Sequence, residues 1–220
     1  EKRAVRDSAE QAGAKEVYLI HEPMAAALDI GIDVEEPVGN MIIDIGGGTT
    51  GITVIALAGI VCDQSIRIAG AEFTADIMEA LRRYHSLLIG ERTAEQIKIQ
   101  VGAAMKEIDN PPDDFAVNGR DLVTGIPKHI MVSYQEIAEA LDKSIFKIEE
   151  AILKALEQTP PELAADIYRR GLYITGGGAL LRGLDKRLSN KIKLPVHIAD
   201  DPLKSVVRGT GIALKHYDRY

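Results

Sequence analysis

The chain has 220 residues, of which 46% are hydrophobic, 27% charged and 5% aromatic, with no Trp; this composition excludes a largely disordered protein and leaves room for one or two hydrophobic cores. A formal net charge of −7 argues against a dedicated nucleic-acid binder, which carries a basic face. The single cysteine, in the apolar run Ile60-Val61-Cys62, excludes a disulfide framework and a thiolate metal cluster, and no apolar run approaches the roughly 18 residues that span a bilayer, so the chain reads as cytosolic.

In chain order, the first pattern is helical. Ala4, Val5, Ser8, Ala9 and Ala12 share a face and Gly13 can close the end. Because the chain starts inside this pattern and without Met, a preceding segment is expected in the parent protein. Val17-Tyr18-Leu19-Ile20 reads as a short strand, after which Glu22-Pro23 opens a helix through Met24 to Ile30, with Pro23 at its first position and Gly31 at its end. Asp33 to Gly39 reads as a linker. β-Branched runs follow over Met41 to Ile45 and Ile52 to Leu57, a turn at Ala58-Gly59 leads into a third strand, Ile60 to Ile68, and Gly70 punctuates before a long helix, Phe73 to Leu88.

The middle of the chain is rich in helix signals. Thr93 with Gln96 has capping-box spacing and starts a helix to about Lys106; Ser133 with Glu136 starts another to about Glu157; Thr159 with Pro160 and Glu162 starts a third. In the longest, Ile137, Leu141, Ile145, Ile148, Ile152 and Leu156 form the stripe of an amphipathic helix packed on a core. Asn110-Pro111-Pro112-Asp113-Asp114 reads as a loop and Asn118-Gly119 as a hairpin turn between short strands near Ala116 and Leu122. The last third alternates: strand Leu172 to Ile174, helix Leu181 to Ser189, strand Val196 to Ile198, and a helix from about Pro202 to His216. The whole is an α/β arrangement with mixed strand order.

Two glycine triplets carry the chemistry, Asp44-Ile45-Gly46-Gly47-Gly48-Thr49-Thr50 and Thr175-Gly176-Gly177-Gly178-Ala179, each following an apolar strand-like run. Successive backbone N–H groups reach a phosphate only where no Cβ intervenes. A lone triplet is ordinarily a flexible turn, but Asp44 supplies a carboxylate for a hydrated Mg²⁺ and Thr49 and Thr50 supply hydroxyls beside the first. No Gly-Lys-Ser/Thr follows the first triplet, which excludes the ordinary P-loop assignment. Taken alone, Glu22 reads as an acid favoured at a helix N-terminus, and Glu95 with Lys98 as a solvated ion pair. The five histidines show no ligand spacing.

Glu22-Pro23-Met24-Ala25-Ala26-Ala27, Asp44 through Thr50, Gly90-Glu91-Arg92-Thr93-Ala94-Glu95-Gln96-Ile97-Lys98, Thr159-Pro160-Pro161-Glu162-Leu163-Ala164 and Thr175 through Gly183 occur in this order. With this ordered set the chain resembles the MreB family of bacterial actin homologues over essentially its whole length. The resemblance implies an α/β, actin-like ATPase fold of ribonuclease H-like mixed sheets flanked by helices, here the second lobe plus part of the first. Residues 1–36 and 206–220 would belong to the first lobe, 37–72 and 137–205 to the large subdomain of the second, and 73–136 to a smaller insertion.

The same resemblance implies a set of site residues. Gly46, Gly47, Gly48, Thr49 and Thr50 would contact phosphates, Gly176, Gly177 and Gly178 the adenosine, and Glu95 and Lys98 the ribose. Glu22 and Thr49 would hold and polarise the water that attacks the γ-phosphate of ATP, and Asp44 would act through Mg²⁺-bound water. ATP or ADP with Mg²⁺, self-association into filaments, a RodZ-like membrane adaptor, the cell-wall synthesis machinery and a cytoplasmic position at the inner face of the plasma membrane are what the resemblance implies, with slow ATP hydrolysis timing assembly. Two departures stand out: Ala71 where the family often carries Asp, expected to weaken a loop contact, and His21 where a second Glu is common, expected to tune Glu22. The family's first phosphate loop and its membrane-contacting segment have no counterpart here, so this chain alone is expected to bind nucleotide weakly and not to hydrolyse it. The alternatives are a chaperone- or kinase-like phosphotransfer ATPase of the same fold, or a non-catalytic nucleotide-binding lobe.

Overall fold

A computed structural model describes residues 2–217; Glu1 and 218–220, which belong to the expected first-lobe segments, lie outside the described residues. The β-branched runs form strands β1 (Asn40–Ile45), β2 (Thr50–Ala56) and β3 (Gly59–Ile66), an antiparallel meander. β7 (Leu172–Thr175) and β8 (Val196–Ile198) add to it in parallel, giving one five-stranded sheet in the order β3-β2-β1-β7-β8. A second, antiparallel sheet orders β4 (Leu87–Leu88), β5 (Phe115–Asp121) and β6 (Pro127–Val132).

Alternation along the strands decides which helices cover which face of the large sheet. Met41, Ile43, Ile45, Ile52 and Val54 are buried in one cluster with residues of α3 (Gly70–His85), α4 (Glu91–Val101), α5 (Tyr134–Gln158) and α7 (Leu184–Ile192). Ile42 and Ile55 point the other way, into a smaller cluster with Met24, Ala26, Ala27 and Leu28 of α2 (Glu22–Ile30) and Ala213 of α8 (Ser205–Lys215). In α5 the predicted stripe is in place: Ile137, Leu141, Ile145, Ile148 and Ile152 are fully buried, and the Ser133 side chain accepts the Glu136 N–H at the helix start. At about 1.5–3 kcal/mol for each such side chain, this stripe outweighs the cap by several-fold. α6 (Pro161–Arg170) starts within two residues of Thr159, but the Thr159 hydroxyl donates back to the Ala155 carbonyl at 2.7 Å, closing α5 rather than opening α6.

Several expectations shift. Val17–Ile20 is not a strand: no neighbouring chain offers it a ladder among the described residues, and Tyr18 and Leu19 are exposed. α1 (Lys2–Gln11) forms, yet none of its residues is buried. α3 begins at Gly70 and ends at His85, so Leu87 and Leu88 leave the helix to pair with β5. α4 starts at Glu91 with Gly90 before it, which places Thr93 inside the helix without a capping role, and it ends at Val101 rather than Lys106. Asn118 and Gly119 lie within β5; the turn is further on and uses Gly125, at φ 77°. Gly119 instead allows close approach, since a Cβ there would lie 2.7 Å from the Leu88 carbonyl. The β2–β3 turn is made by Leu57 and Ala58, both left-handed at φ 51° and 54°. That costs about 1–2 kcal/mol per residue, and their N–H groups are tied to the Glu36 and Val34 carbonyls at 3.0 and 2.6 Å. α7 and α8 start three residues later than their sequence patterns suggest.

α2 and α8 meet where neither has a side chain in the way. A Cβ at Gly209 would lie 1.7 Å from the Ala25 carbonyl, whereas nothing lies within 4 Å of one at Gly211, two residues on. Beside this contact Arg208 grips Asp29 with two donors at 2.6 Å each, and those bonds, outweighing burial, hold the Asp29 carboxyl below its usual range. Gly209→Ala is therefore expected to destabilise the fold, and Gly211→Ala to stabilise it by about 0.5–1 kcal/mol, the ordinary helix-propensity gain. Thermal unfolding of the two variants side by side checks the opposite signs; an increase in Tm for Gly209→Ala would mean that α2 and α8 are not packed this closely.

Candidate functional site

The parallel neighbours β1 and β7 end level with each other, Asp44 opposite Thr175. The groove outside the carboxyl ends of adjacent parallel strands is where α/β sheets place ligands, and both glycine triplets leave their strands there. The approach of the two ends depends on missing side chains. Gly176 has φ 80°, and a Cβ on it would lie 2.4 Å from Asp44 Oδ1 and 2.4 Å from the Ile45 carbonyl; one on Gly178 would lie 2.2 Å from Ile45 Cγ2. Gly47 and Gly48 are different: nothing would meet their Cβ atoms and neither has positive φ. The fold does not demand glycine at these two positions, so their bareness is free to serve something outside the chain.

α3 docks its first turn on the first triplet. Gly70 N–H donates to the Gly46 carbonyl at 3.1 Å and Ala71 N–H to the Gly47 carbonyl at 2.7 Å. The contact expected to suffer from Ala at position 71 is thus made by backbone. With the Gly46 and Gly47 carbonyls turned to α3, the Gly47 and Gly48 amides donate to no other group among the described residues, which leaves them open to an anion. The Gly46 N–H closes the loop on the Thr49 carbonyl at 3.0 Å. Thr49 is exposed at the loop tip, while Thr50 is fully buried and its hydroxyl donates to the Ile68 carbonyl at 2.6 Å. The Thr50 side chain, expected at a phosphate, is instead an anchor for the loop.

A cavity of about 1080 Å³ opens between the triplets, α3 and α4. Asp44, Gly46, Gly47, Glu95, Lys98 and all three glycines of the second triplet border it; Glu22, Gly48, Thr49 and Thr50 do not. The volume is that of a site for a nucleotide-sized ligand. On one wall Lys98 Nζ lies 2.7 Å from Glu95 Oε2, 2.8 Å from the Gly70 carbonyl and 3.1 Å from Thr74 Oγ1, and Thr74 Oγ1 is 2.9 Å from Glu95. Burial pushes the Glu95 carboxyl up, but the hydrogen bonds from Lys98 and Thr74 prevail and hold it below its usual range. The pair is therefore part of a four-membered network joining α4 to the start of α3. Sequence reading missed Thr74, and it also missed the apolar lining from Phe73, Met78 and Leu203, because these residues meet only when separate helices pack.

Asp44 is half-buried on the cavity floor. Burial, and then the negative charge of Glu22, push its carboxyl above the usual range. Glu22 is the first residue of α2 and exposed, and strand alternation puts Asp44 on the α2 side of the sheet together with Ile42. A carboxylate that is costly to ionise, next to a second one, is a place where a divalent cation lowers the energy. No group of three or more His, Cys, Asp or Glu side chains able to hold a metal occurs among the described residues. That donor set fits Mg²⁺, which keeps several waters and takes one or two carboxylates plus phosphate oxygens.

Lys98→Met is expected to raise the Glu95 pKa, since burial remains and the strongest opposing bond is gone. The sign follows from linkage: a lowered carboxyl contributes stability above its unfolded pKa and loses it as pH falls through the folded one, so the variant should lose the share present above the unfolded pKa, and its stability should fall less on acidification. Side-chain carboxyl NMR across the acid range reads it, and a Glu95 pKa unmoved by the substitution would show that Lys98 does not control it.

The chain matches the MreB/Mbl protein family over residues 1–220. It is 46% identical over 219 residues to the cell shape-determining protein Mbl of Bacillus subtilis, and 48% over 223 residues to the cell shape-determining protein MreB of Escherichia coli. All of this chain is covered in both matches, and it spans 65% and 63% of those relatives' lengths. Among solved structures, MreB 5 of Spiroplasma citri bound to AMPPNP superposes with a TM-score of 0.95 at 40% identity, over 100% of this chain and 65% of that one. The MamK double helical filament shares the fold alone, with a TM-score of 0.77 at 22% identity over 97% of this chain and 64% of that one. The chain belongs to the MreB/Mbl family and has its actin-like fold.

Proposed function

We propose that this chain supplies the second lobe, and part of the first, of an ATP-dependent filament-forming cytoskeletal protein that organises cell-wall synthesis and maintains cell shape. The observation that carries this reading is the pair of glycine triplets brought to one cavity with Asp44 between them. The MreB and Mbl relatives are named cell shape-determining proteins, and the Spiroplasma citri relative was solved with AMPPNP and with ADP. On this reading residues 37–72 and 137–205 form the large nucleotide-binding subdomain, 73–136 a small inserted one, and the segments before and after belong to the first lobe.

The Gly47 and Gly48 amides and Thr49 hold phosphate oxygens of ATP, the second triplet lies against the adenosine, and Glu95 and Lys98 face the ribose. Asp44 would hold Mg²⁺ through water, and the ion when bound would supply charge neutralisation at the phosphates. Glu22, with Thr49 across the cleft, orients the attacking water and accepts its hydrogen bond, a positional and electrostatic contribution that fits slow turnover. ATP closes the cleft and favours the filament, and ADP relaxes it. Filament formation involves further copies of the protein. A RodZ-like adaptor and the cell-wall machinery are its partners, at the cytoplasmic face of the plasma membrane.

Two experiments test this. In ATP-dependent pelleting with electron microscopy, a form extended at its N-terminus to the full length of the relatives is expected to assemble, and this chain alone to bind nucleotide weakly and release no phosphate. Steady phosphate release by this chain, abolished by Glu22→Ala, would overturn the second half; absence of filaments from the extended form despite tight ATP binding would favour a phosphotransfer enzyme. In the extended form Gly47→Ala is expected to leave Tm nearly unchanged while weakening ATP by about tenfold, the loss of one charge-assisted backbone contact. Undiminished ATP affinity in that variant would remove the phosphate role of the loop.

A further inference from the structure

The loop that carries the second glycine triplet runs through a single 3-10 turn, Gly177–Leu180, to Leu181 and Arg182 before α7 begins. Arg182 is where this loop meets α4. Its guanidinium donates to the Ile99 carbonyl at 3.2 Å and to the Gly102 carbonyl at 3.3 Å, and its own carbonyl accepts the Ala104 N–H at 2.8 Å. Arg182 and Ala103 also form an isolated parallel bridge. The last turn of a helix has carbonyls without intrahelical partners and carries the negative end of the dipole, and a guanidinium offers both fixed planar donors and a permanent positive charge. Gly102 makes room for this closure: a Cβ there would lie 2.1 Å from the Lys98 carbonyl and 3.0 Å from Leu181 Cδ1.

The two pieces that Arg182 joins both line the cavity. α4 contributes Glu95, Lys98 and Ile99, and the loop contributes Gly176, Gly177, Gly178 and Leu181. Arg182 itself does not border the cavity. The phosphate-facing triplet at Gly46 is held by other contacts, its hydrogen bonds to α3 and to Thr49. We propose that Arg182 is a positioning residue that fixes the separation of these two walls and so sets the affinity for the nucleoside half of the nucleotide while leaving the phosphate half alone. This rests on the nucleotide reading above. A purely stabilising helix cap would lower Tm and affect every ligand alike; a positioning role separates nucleoside from phosphate.

The test uses Arg182→Met and Arg182→Lys in the N-terminally extended form, with ATP affinity measured directly, inorganic triphosphate as a competitor that lacks the nucleoside, and Tm as the check on folding. Arg182→Met is expected to weaken ATP by about tenfold, the scale of a wall displaced by a fraction of an ångström, with the triphosphate constant unchanged. Arg182→Lys keeps the charge at the helix end and can reach one carbonyl, so it should recover part of the loss; it also serves if the Met variant fails to fold. ATP affinity unchanged in a folded Arg182→Met or Arg182→Lys variant overturns the proposal, as does parallel weakening of ATP and triphosphate. A parent protein that binds no ATP overturns the nucleotide reading and this proposal with it, an outcome visible before any variant is made.

Discussion

The side-by-side ending of β1 and β7 is the constraint on which the rest of the site depends. Two parallel strands can bring two loops to one point only if the loops pack against each other as tightly as the strands do, and here the second loop runs against the Asp44 carboxylate and the Ile45 backbone at distances that no Cβ could occupy. A side chain at Gly176 or Gly178 would push the loops apart by about the width of a methyl group, in a protein interior that resists such displacement. Asp44 would then lose the burial that shifts its titration. Cavity, carboxylate and loop geometry therefore stand or fall together.

The helices complete the site by being anchored to that point. α3 is fixed at its first turn to the carbonyls of Gly46 and Gly47, and Lys98 of α4 reaches the same turn through the Gly70 carbonyl. α5 holds the other end of the arrangement, its buried stripe packed in the cluster that includes β1, β2 and α3. The anchored loop and helices border the cavity, whereas the catalytic candidates Glu22 and Thr49 are exposed and outside its lining. Glu22 is nevertheless felt by Asp44 electrostatically. On the proposed reading, binding would rest on preorganised backbone and the water-handling groups would stand at an open face.

The helix pair on the opposite side of the sheet works by the same rule. Gly209 against Ala25 brings α8 onto α2 with no side chain between them, and Arg208 with Asp29 locks the rotation about that contact. α2 carries Glu22 at its first residue, so the close approach at its middle also determines where that carboxylate stands. Helix packing beside the cavity, where Val206 of α8 reaches its lining, and the position of a proposed catalytic group are one problem.

By itself the sequence determined the features that short-range patterns encode. The β-branched runs that become β1 to β3, the α5 stripe with its Ser133 cap, the helix from Glu22 to Gly31 and the two triplets at strand ends are all where local periodicity and backbone freedom put them, because each depends on residues within a few positions of one another. Tertiary structure decided what depends on distant neighbours. Val17–Ile20 has β-like residues and no ladder partner; Asn118-Gly119 has the composition of a turn and became a strand because Leu88 lies against it; Thr93 and Thr159 have capping spacing, but the chain begins the helices elsewhere. The same division holds in the site. The glycines, Asp44, Glu95 and Lys98 were legible from motif and resemblance, but the Thr74 bridge, the burial of Thr50 and the hold of Arg182 on α4 were not. Those contacts join groups 18 to 83 positions apart, and only the packing of helices and loops around the end of the sheet brings such groups within hydrogen-bonding distance.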